Sequence, residues 1–379
     1  MQNISSAAFI DTKPHYDILD GLRGVAALMV VWYHVFEGFC TSPIDQHLNH
    51  GYLAVDFFFI LSGFVIGYAY DDRWKKKMNM REFFTRRLIR LHPMVVIGVV
   101  LGALTFIIQG SVKWDGTHVT LSMVMVAMLL NLFLIPEVPG MGSEVRGNGE
   151  MFPLNGPNWS LFFEYIGNIL YALIIHRMST KALKVLVGVL GVALALFATL
   201  NLSGAGHIGV GWTMADYNLP GGLLRMLFSY SVGLLLSRGF KPIRVRGAFW
   251  ICSLSLIALL AVPHVGDTQA LWLNGLYDSL CVMLLFPAIL YIGASGCTTD
   301  AGSRNICKFL GDISYPLYVV HYPFMYLFFA WVWNNHLSFA QAWPLALVEF
   351  FGNILLAYLC LKLYDEPVRR LLSKKLLRR

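Results

Sequence analysis

The chain has 379 residues, of which 57% are hydrophobic and only 13% are charged. A soluble domain usually carries about 25% charged residues, since its surface must face water. The composition therefore excludes an ordinary cytosolic enzyme and indicates one polytopic membrane domain. The net charge of +7 does not indicate a nucleic-acid partner, because the basic residues flank apolar runs, where they are typical topology signals.

The six cysteines are scattered along the chain and form no Cys-x-x-Cys pair. They are Cys40, Cys252, Cys281, Cys297, Cys307 and Cys360. Most fall in or near apolar segments, where a cysteine behaves as a small buried hydrophobic residue. The pattern predicts neither a disulfide framework nor a metal site.

Eleven apolar runs follow one another along the chain, separated by polar connections. They cover residues 21–40, 52–70, 91–109, 119–135, 159–176, 183–201, 221–237, 248–263, 270–292, 313–334 and 343–364. A membrane-spanning helix needs about 20 predominantly apolar residues. The runs predict an all-α, polytopic membrane helix bundle.

The distribution of Lys and Arg between these runs predicts the topology, because basic connections mark the cytoplasmic side. The basic connections are 71–90, 177–184, 238–246 and the tail 369–379, whereas 41–51, 202–220, 264–269 and 335–342 contain neither Lys nor Arg. The two sets alternate along the chain. This alternation places the N- and C-termini in the cytoplasm.

One apolar run does not fit the alternation. Between the basic connections 71–90 and 177–184 the chain needs an even number of crossings, yet three apolar runs lie there. We predict that 119–135 does not span, because it is short and precedes the Gly- and Pro-rich stretch 136–158. It would lie along the interface or dip in from outside, packed against the bundle. About ten transmembrane helices then remain.

The first helix carries two polar side chains, and such groups inside a bilayer are candidates for function because they are costly there. Arg23 and His34 lie eleven residues apart, which is about three helical turns and about 16 Å along the axis. They fall on nearly the same face, with Arg23 near the cytoplasm and His34 deep towards the outside. Taken alone, a snorkelling arginine and a hydrogen-bonded core histidine are the alternatives.

The next two apolar regions add one acidic and two basic candidates. Asp56 precedes an aromatic run near the outer end of the second helix, where it would contact either substrate or headgroup water. Arg87 and Arg90 lie one turn apart at the cytoplasmic entrance. Two guanidinium groups there can bind phosphate through paired hydrogen bonds. The alternative is a positive-inside cluster that binds lipid headgroups.

Three candidates lie further along the chain. Glu164 is in an otherwise apolar segment entered from outside, at a depth comparable with that of His34. A carboxylate paired with the imidazole would fix its tautomer and raise its basicity; a purely structural pair is the alternative. His321 and Tyr318 are candidates for substrate contact, although an aromatic belt is the stronger interpretation of Tyr318 and Tyr315.

Several stretches, taken together and in order, resemble the membrane acyltransferase 3 family. They are LDGLRGVAALMVVWYH with its Arg-x10-His spacing, VDFFFILSGFVIG, FFTRRLIRLHP with its Arg-x-x-Arg, NWSLFFEY and the late SYPLYVVH. The resemblance covers nearly the whole chain. It implies a multi-pass enzyme of the bacterial inner membrane that acylates a hydroxyl of a surface glycan or lipid-linked sugar.

The resemblance also implies roles for the polar residues. His34 becomes the catalytic histidine and Glu164 a supporting residue. Arg23, Arg87 and Arg90 become candidates for binding the phosphates of a cytoplasmic acyl-CoA, with acetyl-CoA as the expected co-substrate and no metal. Membrane lipids and a carbohydrate or lipid-linked acceptor are the implied partners.

Two mechanisms and one other function stay open at this point. His34 would act as general base towards the sugar hydroxyl, or as nucleophile through an acyl-histidine. A proton-coupled transporter of a polar or anionic solute is the alternative function, because buried His, Glu and Arg also build proton relays. Many relatives carry a fused extracytoplasmic domain, whereas we expect residues 1–379 to form a single integral membrane domain without one.

Overall fold

The computed structural model describes residues 15–76, 78–297 and 300–377. These residues form thirteen α-helices and only isolated β-bridges. The helices are α1 (Asp17–Glu37), α2 (Ala54–Lys75), α3 (Met80–Ile108), α4 (Leu121–Leu132), α5 (Asn158–Leu173), α6 (Thr180–Thr199), α7 (Asn218–Gly239), α8 (Ala248–Ala261), α9 (Trp272–Leu280), α10 (Phe286–Ser295), α11 (Ala301–Asn334), α12 (Phe339–Cys360) and α13 (Glu366–Leu376). One π-helical turn joins α9 to α10 and another joins α12 to α13. The predicted all-α helix bundle is confirmed.

Helix α3 begins eleven residues before the apolar run that predicted it. The side chain of Asn79 caps its first turn by accepting a hydrogen bond from the backbone N–H of Glu82 at 2.8 Å. Residues 71–75 end α2 and residues 80–90 begin α3, so most of the basic connection 71–90 is helical. Arg87 and Arg90 project from a continuous 29-residue helix rather than from a loop, which restricts where each side chain can reach.

Two pairs of neighbouring helices form the centre of the bundle, α1 with α11 and α2 with α7. The backbones of α2 and α7 touch at Gly63, where an added Cβ would lie 2.0 Å from the carbonyl oxygen of Tyr230. Small residues allow this close approach in membrane bundles. Helices α6 and α12 lie on the outside and bury few of their residues, five in α6 and four in α12.

The structure separates the connections into two ends of the bundle. At the end where α1 stops, which we call the histidine end, His50 contacts the carbonyl of Val262 at 2.8 Å and Trp114 packs on Trp333. At the end where α1 starts, the arginine end, Arg238 donates to the carbonyl of Met178 at 2.8 Å. The connections without Lys or Arg lie at the histidine end, and the basic ones lie at the arginine end. The predicted grouping of the connections is therefore found.

Helix α4 does not connect the two ends. Its 12 residues extend about 18 Å, against a hydrocarbon core of about 30 Å. The chain before it pairs Val119 with Ser111, and the chain after it pairs Glu137 with Met151, both at the histidine end. The last turn of α4 reaches His92 in the middle of α3. The segment 119–135 therefore dips into the bundle and returns, as the sequence predicts for a run that does not span.

Eight helical segments among the described residues are long and apolar enough to cross a membrane. They contain α1, α2, α3, α5, α6, α7, the α9–α10 pair and the α12–α13 pair. Helix α8 has only 14 residues. The 34-residue α11 is long enough, but it carries Ser, Tyr and His side chains that are buried among the other helices. The count of ten transmembrane helices and the cytoplasmic termini stay predictions.

The orientation can be tested with single cysteines in a background without the six native ones. Met141 at the histidine end and Ile243 at the arginine end are 40% and 50% exposed, so cysteines there are accessible. We expect a membrane-impermeant maleimide to label Met141→Cys in intact cells, and Ile243→Cys only after permeabilisation. The reverse pattern would overturn the predicted orientation.

Candidate active site

His34 lies in a cavity of about 240 Å³ at the histidine end. The cavity is bounded by α1, α2 with the turn at Asn49–Leu53 before it, α5, α7 and α11, and it is closed by the stretches 109–120, 136–157 and 200–217. Six of its aromatic lining residues are Trp114, Trp159, Trp212, Tyr322, Tyr326 and Trp333. The only acidic side chains in the described lining are those of Glu37 and Glu150. An aromatic cavity with a few polar groups is the usual form of a small-molecule site.

The imidazole of His34 is paired with Glu37, one turn further along α1. The distance from Nδ1 to Oε2 of Glu37 is 2.6 Å. A carboxylate that accepts the Nδ1 hydrogen leaves Nε2 as the basic nitrogen. The ring also packs against Tyr322, with centroids 4.6 Å apart. His34 is therefore held in one tautomer and one orientation, which a general base requires.

The predicted pairing of Glu164 with His34 is wrong. Glu164 instead accepts hydrogen bonds from Arg87 of α3 at 2.6 Å and from Ser62 of α2 at 2.8 Å. These three side chains link α2, α3 and α5 in the interior of the bundle. Arg87 is thus engaged by a carboxylate, which argues against a free guanidinium for donor phosphate.

Asp56 does not contact headgroup water, and it does not line the cavity. Its carboxylate accepts two hydrogen bonds from Arg225 of α7, at 2.6 and 3.2 Å, and both side chains are fully buried. Arg225 also donates to the carbonyls of Val210 and Tyr52, at 2.7 and 3.1 Å. The pair thereby fixes the wall of the cavity, and Asp56 acts on the site through Arg225.

Tyr318 and His321 of α11 lie beside the cavity, but only Tyr318 lines it. The Tyr318 hydroxyl is 2.7 Å from Ser160 Oγ. His321 is fully buried with its ring 5.5 Å from that of His34. Its Nδ1 donates to the carbonyl of Leu317 at 2.9 Å, and its Nε2 has no hydrogen-bond partner. His321 is therefore a neighbour of the catalytic candidate and does not face the cavity.

A proline in α11 ties the long 136–157 stretch to the site. Pro323 has no N–H, so the carbonyl of Val319, four residues earlier, loses its helical donor. The buried side chain of Asn155 supplies one at 2.9 Å. The segment that precedes α5 is therefore attached to α11 beside His321.

Glu150 is the second carboxyl that lines the cavity, and unlike Glu37 it is buried. Tyr326 and Asn148 donate hydrogen bonds to it. Burial nevertheless raises the pKa of Glu150 to about 7, with the charges of Arg146 and Glu37 acting in opposite directions. Glu150 can therefore exchange a proton near neutral pH.

Three arginines meet at the arginine end. Arg23 donates to Ser314 at 2.7 Å and pairs with Asp20 at 2.9 Å. The Arg90 guanidinium lies over the ring of Tyr315 at 5.9 Å and is repelled by the nearby charges of Arg23 and Arg369. Arg23 and His34 both contact α11, as expected for residues on one face of α1. The cluster brings together Arg23 and Arg90, but not Arg87.

The cavity around His34 does not extend to the arginine end. Its deepest lining residue on α1 is Val30, about 10 Å along the helix from Arg23. Between them lie the Tyr318–Ser160 contact and, one turn further along α5, Glu164 with Arg87. The described residues include no group of three or more His, Cys, Asp and Glu side chains that could hold a metal ion.

Sequence reasoning missed four residues of this region: Glu37, Glu150, Arg225 and Arg369. Glu37 could have been found, since a carboxylate three residues after His34 lies on the same helix face. Glu150 carries no such local signal, and Arg225 is visible only as an isolated charge in the apolar run 221–237, which does not indicate its partner. Arg369 belongs to the basic tail, which the sequence presents only as a topology signal.

Comparison with known proteins identifies the family of the chain. The family model described as an acyltransferase domain, that of the acyltransferase 3 family, matches residues 16–362. The chain belongs to the acyltransferase 3 family. It is therefore a membrane acyltransferase, which favours group transfer over solute transport. No solved structure matches the chain.

Three relatives illustrate the range of similarity. Protein 2 in the picA locus of Rhizobium radiobacter is 34% identical over 188 residues, which cover 48% of this chain and 93% of that protein. The exopolysaccharide production protein ExoZ of Rhizobium meliloti is 25% identical over 74% of this chain and 78% of its own length. A putative O-acetyltransferase of Staphylococcus aureus is 24% identical over 80% of this chain, but the match spans half of that longer protein.

Removing one partner of the Asp56–Arg225 pair tests its structural role. Asp56→Ala leaves a buried guanidinium without its counter-charge, and we expect the free energy of unfolding in detergent to fall by about 3–5 kcal/mol. The matched control is Asp312→Ala, which breaks an exposed pair with Lys308 and should cost about 0–1 kcal/mol. Equal losses in denaturant titrations of the two variants would contradict this role.

The raised pKa of Glu150 predicts a pH-dependent stability. Between pH 4.5 and about 7 the folded state keeps a proton that the unfolded state releases, so the free energy of unfolding falls as the pH rises through this window. The total effect is about 3 kcal/mol. Glu150→Gln removes it, so we expect the variant to gain stability relative to wild type at pH 8 compared with pH 5. Unfolding curves with the same pH dependence for both proteins would rule this out.

Proposed function

We propose that the protein is an O-acyltransferase of the bacterial cytoplasmic membrane. It transfers an acyl group, with acetyl as the expected one, from acyl-CoA to a hydroxyl of a surface glycan or lipid-linked sugar. The observation that carries the proposal is the His34–Glu37 pair inside an aromatic cavity. The names of the relatives, an O-acetyltransferase and an exopolysaccharide production protein, support this acceptor class.

In this proposal His34 acts as general base. Its Nε2 takes the proton of the acceptor hydroxyl as the oxygen forms a bond to the thioester carbonyl carbon. The carbon–sulfur bond then breaks, and the imidazolium returns the proton to the CoA sulfur. Glu37 holds the imidazole and stabilises its positive charge during the transfer, as the carboxylate of a hydrolase triad does.

The donor would bind from the arginine end. Arg90 lies close to Arg23 and Arg369 and suits a phosphate of a nucleotide. Arg23 and Arg369 are each paired with a carboxylate, that of Asp20 and that of Asp365, so they would bind phosphate only by exchanging these partners. The thioester would then follow the polar side chains of α5 and α11 between the two ends. Tyr318 stands at the boundary of the cavity, so its ring and its contact with Ser160 must move for a thioester to reach His34.

A transfer assay with purified protein and radiolabelled acetyl-CoA tests the proposal. We expect His34→Ala to abolish labelling of the acceptor, and Glu37→Gln to lower kcat by about 10²–10⁴-fold, because the imidazole loses its fixed tautomer. Glu164→Gln is the matched control for a carboxylate that does not touch His34, and its effect on kcat should be smaller.

Donor turnover unchanged in His34→Ala would remove His34 as the catalyst. An equal loss in Glu37→Gln and Glu164→Gln would contradict the assignment of Glu37 as the positioning carboxylate. Label retained on the protein when acceptor is omitted would favour the acyl-histidine route over direct transfer.

A further inference from the structure

A second cavity, of about 420 Å³, opens at the histidine end next to the His34 cavity. It lies between the 136–157 and 200–217 stretches, and it contains neither His34 nor any other residue of α1 among its described lining. Two residues, Asn148 and Trp212, line both cavities. The second cavity, which we call the outer cavity, is therefore a direct neighbour of the reaction site.

A thin wall of two chain segments separates the two cavities. Along the first segment Gly149 lines the outer cavity and Glu150 the inner one; along the second, Gly209 lines the inner and Val210 the outer one. The segments are joined by a β-bridge between Glu150 and Thr213, and the N–H of Met151 donates to the carbonyl of Trp212 at 2.8 Å. Ligand groups on the two sides of this wall would be only one chain thickness apart.

Side chains near the start of α7 and on α5 hold the wall in place. Asn218, at the start of α7, accepts hydrogen bonds from the backbone N–H groups of Gly211 and Trp212, at 2.5 and 3.1 Å. Gly211 has a φ of +117°, and an added Cβ there would lie 2.7 Å from the ring of Trp159. Together with the Arg225–Val210 hydrogen bond, these contacts preform the outer cavity. A preformed site binds without a large ordering cost.

The sizes of the two cavities indicate how an acceptor is divided between them. Sites that enclose a whole small-molecule ligand usually measure about 300–1,000 Å³. The inner cavity, at about 240 Å³, falls below this range, although it must admit both the thioester and the acceptor hydroxyl. Only the reacting part of a large acceptor fits there, whereas the outer cavity, at about 420 Å³, lies within the range.

The outer cavity has the surface chemistry of a carbohydrate subsite. Tyr217 and Trp212 are 58% and 38% exposed and offer aromatic faces to the apolar side of a sugar ring. Asn148, Thr213 and Asp216 supply amide, hydroxyl and carboxylate groups that can bond to sugar hydroxyls. No described Lys or Arg lines it, so a phosphate group is not the favoured occupant.

We propose that the outer cavity binds the sugar unit adjacent to the one that is acylated. The acceptor is then a chain of at least two sugar units, either a polysaccharide or a lipid-linked oligosaccharide, and not a free monosaccharide. This inference rests on the proposed transfer to a glycan. It adds the length of acceptor that the enzyme recognises and the residues, with Tyr217 foremost, that recognise it.

The test compares acceptors of different length. Exopolysaccharide of the host strain is cut into fragments of one, two and four sugar units, and kcat/KM with acetyl-CoA is measured for each. We expect wild type to favour two units over one by about tenfold or more, which is roughly 1.4 kcal/mol. Tyr217→Ala should reduce this preference about tenfold. Trp272→Ala, which removes an exposed ring that lines neither cavity, is the matched control and should keep the preference.

A wild-type enzyme that acylates one-unit and two-unit fragments equally well would overturn the inference, and so would a Tyr217→Ala loss that is the same for every length. Binding of the unlabelled fragments, followed by tryptophan fluorescence, separates this outcome from failure of the proposed function. Length-dependent binding that weakens in Tyr217→Ala, without any His34-dependent transfer, would retain the outer cavity and reject the reaction. Absence of both length-dependent binding and transfer would reject the two together.

Discussion

The buried pair of Asp56 and Arg225 is the interaction on which the site depends most. Both groups are fully buried, and a charge in that environment is tolerable only when its partner and its hydrogen bonds are complete. The Arg225 guanidinium is fully hydrogen-bonded only when the Asp56 carboxylate of α2 and the carbonyls of Tyr52 and Val210 all accept from it. The requirement therefore connects two central helices to the wall between the cavities, and it makes that wall a rigid part of the bundle.

A second buried arginine anchors the 136–157 stretch in the bundle. Arg146 is fully buried, with its guanidinium 3.7 Å from the ring centre of Tyr326, and it donates to the carbonyl of Pro153 at 3.1 Å. The Gly and Pro content of this stretch predicts irregular turns, and the structure has them. The same composition gives no indication that the stretch is anchored inside the protein, because the anchoring depends on aromatic rings from α11 and from the 109–120 stretch.

The sequence was sufficient for the features that follow from one helix or from the order of the chain. Helical periodicity places Arg23 and His34 on one face of α1, and both contact α11. The alternation of basic and neutral connections separates the two ends, and a parity argument shows that one of three runs does not span. The short length of 119–135, before the Gly- and Pro-rich stretch 136–158, identifies it as that run. Each of these predictions uses only the helical period, the number and length of the apolar runs, or the charge of the connections.

The lateral partners of buried groups could not be predicted in that way. Depth in the membrane places Glu164 and His34 in similar layers, but it does not say which helices are neighbours, and Glu164 bonds to Arg87 and Ser62 instead. The nearer carboxylate, Glu37, was three residues from His34 along the same helix. A local partner should be preferred to a remote one when both are chemically suitable, because its distance is set by helix geometry alone.

Helix α11 has a low hydropathy because it lies at the centre of the bundle, where its polar side chains do not face lipid. Its tyrosines, its histidine and its two prolines would be costly against lipid, but other helices and the 136–157 stretch cover them. Pro323 leaves the carbonyl of Val319 without its helical donor, and the side chain of Asn155 donates to it instead. This hydrogen bond attaches the 136–157 stretch to α11 close to His34. In the proposed reaction a donor that enters from the arginine end would pass Tyr318 on this same helix, so the helix that organises the cavity would also form the barrier to it. Such entry would break the contact between Tyr318 and Ser160, which lies one residue along α11 from the carbonyl that Asn155 holds.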